Sequence, residues 1–153
     1  MSELSHVAPN GSVQMVDVSG KAPSLRRAMA CGLLRITDAH RSAIGKLPKG
    51  DALTIAQIAG IQGGKRCSEL IPLCHQIPLS HLDVSIQLTE HGIEIDATAK
   101  TDAATGVEME AYTAVVVAGI TLIDMLKGVS PNLILTDVML MSKTGGKADW
   151  QRE

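Results

Sequence analysis

The chain has 153 residues, enough for one domain with a real core. Hydrophobic residues make up 45% but aromatics only 1%, with no Phe, so the core must be built from Val, Ile, Leu, Ala and Met. A net charge of −2 and the scarcity of rings for base stacking argue against a general nucleic-acid binder.

In chain order, residues 1–12 read as a flexible tail with no basic or apolar signal-like run. Val13–Val18 reads as a short strand or an ordered lead-in, and Ser19–Ser24 as a turn. Leu25–Ile36 suits strand or helix, with Arg26, Arg27 and Arg35 at exposed positions. Thr37-Asp38 can cap a short helix to about Gly45. Asp51 can cap the next, Ala52–Cys67, whose Leu53, Ala56, Gly60 and Gly64 lie at helical spacing and permit close packing. Pro78 forbids a long helix after Ser68–Leu73 and Cys74-His75. Leu82–Ala99 alternates around the turn Glu90-His91-Gly92, which predicts a hairpin with one buried face.

Thr105–Gly128 is the longest apolar segment. Thr105 and Glu108 form a capping-box pattern, and Gly128 with Pro131 marks the stop. Ala114–Ile120 is apolar on every face, as in a helix buried on all sides. The charge-free run Ala111–Ile123 is shorter than the roughly 20 residues a bilayer needs. Glu110 and Asp124 fall on one stripe but stand about 21 Å apart along the axis. One straight helix cannot bring both to one small-molecule site, so shared use of the two ends requires an antiparallel second copy. Leu133–Met141 reads as a final strand, with a flexible tail after it and a single domain over 13–147. Together the elements predict an α+β fold of ferredoxin-like type: a mostly antiparallel sheet with helices packed on one face.

The candidate chemistry is dispersed. Cys67, Cys74, His75 and His81 cluster, but in no common zinc spacing, so no metal or cofactor is expected. Three cysteines without C-x-x-C suit a reducing cytoplasm. His75 is a candidate polar group at a pocket edge. Arg26, Lys49, Lys65, Arg66, Lys127, Lys143 and Lys147 are either solubilising charges or converge on an anion such as a polyphosphate. Ser142–Lys147 is glycine-rich and basic but lacks the order of a P-loop. Asp124 and Lys127, three residues apart, form either a simple helix ion pair or an acid/base pair.

These residues carry a resemblance. Met15–Ser19, Lys49-Gly50-Asp51, Ile58–Gln62 with Lys65-Arg66, SELIPLCH (Ser68–His75), TGVEME (Thr105–Glu110), Asp124-Met125-x-Lys127 and SKTGGK (Ser142–Lys147) are together similar to the MoaC family. That family comprises the cyclic pyranopterin monophosphate synthases of molybdenum cofactor biosynthesis. The resemblance implies a lyase that converts a 3′,8-cyclised dihydro-GTP to cyclic pyranopterin monophosphate and diphosphate. It implies substrate contacts from Leu73, Cys74, His75, Glu108, Met109 and Glu110. Asp124, Lys49 and Lys127 would be catalytic, and Arg26 and Lys143 would hold phosphates. It also implies a ferredoxin-like fold, a homohexamer of three dimers with sites at dimer interfaces, and no metal. Gly63-Gly64, Gln76, Asp102–Ala104 and Tyr112 depart from the family's usual pattern. Competing readings are a non-catalytic ferredoxin-like nucleotide-binding module and a metal-dependent hydrolase.

Overall fold

The computed structural model describes residues 10–153. Its elements run β1 (Ser24–Arg35), α1 (Asp38–Ala43), α2 (Ala52–Lys65), α3 (Cys67–Leu70), β2 (Leu79–Thr89), β3 (Gly92–Ala103), α4 (Glu108–Leu126), β4 (Ile134–Thr144) and β5 (Trp150–Gln151). Among the described residues the strands form one antiparallel sheet in the order β2-β3-β1-β4-β5. The β2-β3-β1-β4 portion, with helices between β1 and β2 and between β3 and β4, is the ferredoxin-like arrangement. Both crossovers place their helices on one sheet face.

Strand β1, open to either reading in sequence, is a central strand because alternation wins. Ala28, Ala30, Gly32 and Leu34 are buried toward the helices, while Arg27, Met29, Cys31 and Leu33 face the other way. Opposite them on β3, Ile93, Ile95, Ala97 and Ala99 complete the floor of the core. Ala111, Ala114, Val115, Ala118, Leu122 and Leu126 of α4 pack on that floor.

Without large aromatics, the core closes by bringing backbones together. A Cβ on Gly60 would stand 2.9 Å from the Ala114 carbonyl oxygen, and one on Gly64 3.0 Å from that of Glu110. The small stripe of α2 therefore seats this helix directly against α4.

Three local expectations are corrected, and one open alternative is decided. The Thr105–Glu108 capping box does not form: α4 begins at Glu108 after Val107, with no side-chain cap, so Thr105 stands two residues ahead of the cap position, and the Glu108 carboxylate pairs with Lys143. Nor is α4 buried on all sides, for Ile120 is 56% exposed and Val116 and Val117 are only half-buried. The Val13–Val18 segment is an extended lead-in with one bridge residue, Val13. The end of the chain, read as a flexible tail over 148–153, pairs as β5 with Ser142 and Lys143, and the Arg152 guanidinium lies 5.4 Å from the Trp150 ring centre. The tail read over 1–12 falls mostly outside the described residues. By length and composition α4 could cross a membrane, yet it sits between α2 and the sheet as a core helix.

Candidate active site

Two clusters occupy opposite ends of α4. At its head, two adjoining clefts of about 470 and 490 Å³ share Lys21, Thr105, Gly106, Glu108 and Lys147. The first is basic, walled by Arg26 and Arg27 of β1 and Lys143 of β4. The second is walled by Leu73, Cys74 and His75 after α3, by Met109 and Glu110 of α4, and by Val16 of the lead-in.

Local structure aims these groups. Pro78 and the short α3 leave Leu73–His75 as an irregular edge rather than a helix. The His75 ring Nε2 donates to the Val16 carbonyl at 2.7 Å, since a carbonyl can only accept. His75 thus ties the lead-in to the cleft and, when neutral, keeps Nδ1 as an acceptor. Arg26 faces the helix side of β1, and its Nε is buried with no hydrogen-bond partner among the described residues. Over it folds the Gly145-Gly146 turn, whose Gly145 adopts φ +83 and has no room for a Cβ beside the Leu25 carbonyl. Lys143 Nζ pairs with Glu108 Oε1 at 3.2 Å. An anion entering this cleft meets the guanidinium of Arg26, whose Nε lies buried behind it, and a lysine, Lys143, that can exchange Glu108 for the anion.

Glu110 is only 5% exposed. Burial, with help from Glu108, raises its carboxyl pKa above the ordinary 4.5 against a lowering backbone hydrogen bond. Burial thus favours the protonated form of Glu110. Burial also pushes the Cys67 thiol up to about 12, although a Thr113 hydroxyl donates to its sulfur, and burial raises Cys74 as well. Neither thiol is set up as a thiolate ligand or nucleophile.

At the tail of α4, Asp124 accepts from two lysines. Lys127 Nζ lies 2.6 Å from Oδ1, and Lys49 Nζ 3.6 Å from Oδ2 and 3.3 Å from the Asp124 carbonyl. The Lys127 hydrogen bond and charge, then the Lys49 charge, hold Asp124 below the usual carboxylate range. A small apolar recess of about 290 Å³, with Leu47, Pro48, Met125 and Val129, adjoins the two lysines.

The structure thus gathers Arg26, Lys143, Glu108, Met109, Glu110, Leu73, Cys74 and His75 in one place. It puts Lys49, Asp124 and Lys127 in another, at the far end of a 19-residue helix. Lys65 and Arg66 join neither cluster. Sequence reading did not single out Lys21, whose place beside Lys147 in both clefts depends on how the lead-in folds back.

Fold and clusters together define a ferredoxin-like protein with a cleft lined by cationic side chains and a separate lysine–carboxylate cluster. The MoaC family model matches residues 15–146, and the chain belongs to the MoaC family. It is 46% identical over 154 residues to a cyclic pyranopterin monophosphate synthase of Peptoclostridium acidaminophilum, covering 99% of this chain and 98% of that one. It is 46% identical over 155 residues to one of Corynebacterium efficiens, covering 98% and 99%. A third relative, cyclic pyranopterin monophosphate synthase 2 of Mycobacterium tuberculosis, is 48% identical over 154 residues, covering 98% and 92%.

Proposed function

We propose that the protein is a cyclic pyranopterin monophosphate synthase of molybdenum cofactor biosynthesis. In this reading it is a phosphorus–oxygen lyase acting on 3′,8-cyclised dihydro-GTP in the cytoplasm, without a metal or cofactor. The observation that carries the reading is the gathering of the family-matching ring and phosphate contacts into one pair of clefts.

The triphosphate enters the basic cleft, where Arg26 and Lys143 hold its charge. A ribose hydroxyl oxygen forms a bond to the α-phosphorus, the bond from that phosphorus to its bridging oxygen breaks, and diphosphate leaves. The cations stabilise charge that grows on the phosphoryl oxygens. The hydroxyl proton and the protons moved during ring rebuilding need groups that exchange them. His75 Nδ1 and the raised Glu110 carboxyl face the ring-binding cleft. Lys49 and Lys127, with Asp124 between them, supply the other donors and acceptors.

The two clusters serve one reaction when α4 packs against a second copy running antiparallel. The outward stripe of α4, with Val116 half-buried and Ile120 exposed, supplies the apolar contact. Each site then takes its cleft from one subunit and its Lys49–Asp124–Lys127 cluster from the other, and three such dimers make a hexamer.

The direct test incubates the protein with the cyclised dihydro-GTP and measures pyranopterin product and diphosphate. Turnover should exceed that of Lys127→Ala by at least about a hundredfold. Ligand binding without product would instead favour a binding module.

A further inference from the structure

Tyr112 is not part of either cluster, yet its hydroxyl has a specific partner. The Leu140 backbone N–H donates to Tyr112 Oη at 2.7 Å. Leu140 sits at an irregularity of β4. Along β1, Ala30 pairs with Leu140 and the next residue, Met29, pairs with Ser142, so Met141 is the extra residue of a β-bulge.

The bulge decides where Lys143 points. Leu140 lies opposite the buried, helix-facing Ala30. With strict alternation from Leu140, Ser142 would face the helices and Lys143 the opposite side of the sheet. The extra residue reverses this. Lys143 comes opposite helix-facing Ala28 and reaches Glu108 on α4.

Three backbone polar groups of the bulge have partners outside β1. Tyr112 accepts the Leu140 N–H, while Arg152 takes the Leu140 carbonyl through Nε and the Met141 carbonyl through its backbone N–H, both at 2.8 Å. Tyr112 follows Glu108 by one turn of α4, so the same helix face pins the bulge and receives the lysine that the bulge turns inward.

We infer that Tyr112 is a positioning residue for the phosphate cleft, holding the β4 bulge that aims Lys143 into it. This rests on the reading that Lys143 binds substrate phosphate. The Tyr112→Phe variant keeps the ring and removes only the hydroxyl.

The test titrates inorganic diphosphate, by calorimetry, into the assembled wild type, Tyr112→Phe, Lys143→Ala and the double variant. Lys143→Ala should weaken binding by about tenfold or more, as loss of a charge-assisted hydrogen bond does. Tyr112→Phe should weaken it by about threefold in the wild-type background and not further in the Lys143→Ala background. Hydrogen exchange at the Leu140 amide should accelerate in Tyr112→Phe.

Lys143→Ala binding like wild type, or a wild type that does not bind diphosphate, overturns the phosphate reading and the inference with it. With Lys143→Ala weakened, three results overturn the inference alone. They are full affinity in Tyr112→Phe, an equal loss in both backgrounds, and an unchanged Leu140 amide.

Discussion

The division of the clusters between the two ends of α4 makes a quantitative prediction for mixed assemblies. Glu110 and Asp124 both lie on α4, about 21 Å apart along its axis. A group that moves a proton must come within hydrogen-bond reach of the atom it serves. Let Glu110→Gln disable the head cluster and Lys127→Ala the tail cluster, each parent falling about a hundredfold or more. If each site draws its head and tail from different subunits, a mixed dimer holds one site with both lesions and one with neither. Equal co-expression gives mixed dimers half the time, so about a quarter of wild-type activity should return. The count does not change in a hexamer whose sites lie at dimer interfaces. The assay is product formation by the co-expressed, dual-tagged pair against each parent. Activity no higher than the parents', in a preparation shown to contain both chains in one assembly, refutes the shared site. So does a fully active monomer.

Three further outcomes follow from particular side chains. Burial raises the Glu110 pKa above 4.5 in the fold, so its stabilising contribution is complete below about pH 4.5 and is lost as pH rises through the folded value. Glu110→Gln should therefore change the melting temperature more favourably at pH 7 than at pH 4, and equal changes at both would contradict the burial argument. Gly145→Ala forces a Cβ into the Leu25 carbonyl at positive φ and should cost about 1–3 kcal/mol in denaturant melts. At Gly146 a Cβ meets only the far end of Arg26, 3.0 Å away, so Gly146→Ala should weaken diphosphate binding with a smaller loss of stability. Cys67, with its thiol near 12 and its side chain buried, should alkylate more slowly at pH 8 than Cys31 or Cys74 in peptide mapping of the native protein.

Much of this architecture was legible because its signals are periodic. The β2–β3 hairpin, the Asp51 cap and the seating of α2 by its small residues all follow from spacing, and the structure bears them out. What spacing could not supply were the competitions settled in three dimensions. Glu108 fits a capping box, but the helix starts at Glu108 itself, and its carboxylate pairs with a lysine reaching across from β4. The SKTGGK stretch read as the start of a flexible, partly basic tail, whereas Ser142–Thr144 are strand and β5 pairs beside them. Tyr112 read only as a departure from a family pattern, because the amide it satisfies is freed by a bulge that no local rule announces.

The same limit governs α4, whose run of Val115, Val116 and Val117 is apolar all round. Sequence alone takes this as burial on every side, yet in the single chain α2 and the sheet cover Val115 fully and leave Ile120 largely in solvent. In the lone chain Ile120 has no apolar cover, and the antiparallel second copy proposed above would supply it. The uncovered stripe lies between Glu110 and Asp124, so a two-fold axis through it sets the head cluster of one chain beside the tail cluster of the other. An apolar surface that looks misplaced in one subunit and two half-sites too far apart to cooperate are then a single feature. Placing a charge at Ile120 should abolish activity and assembly together while the isolated fold persists.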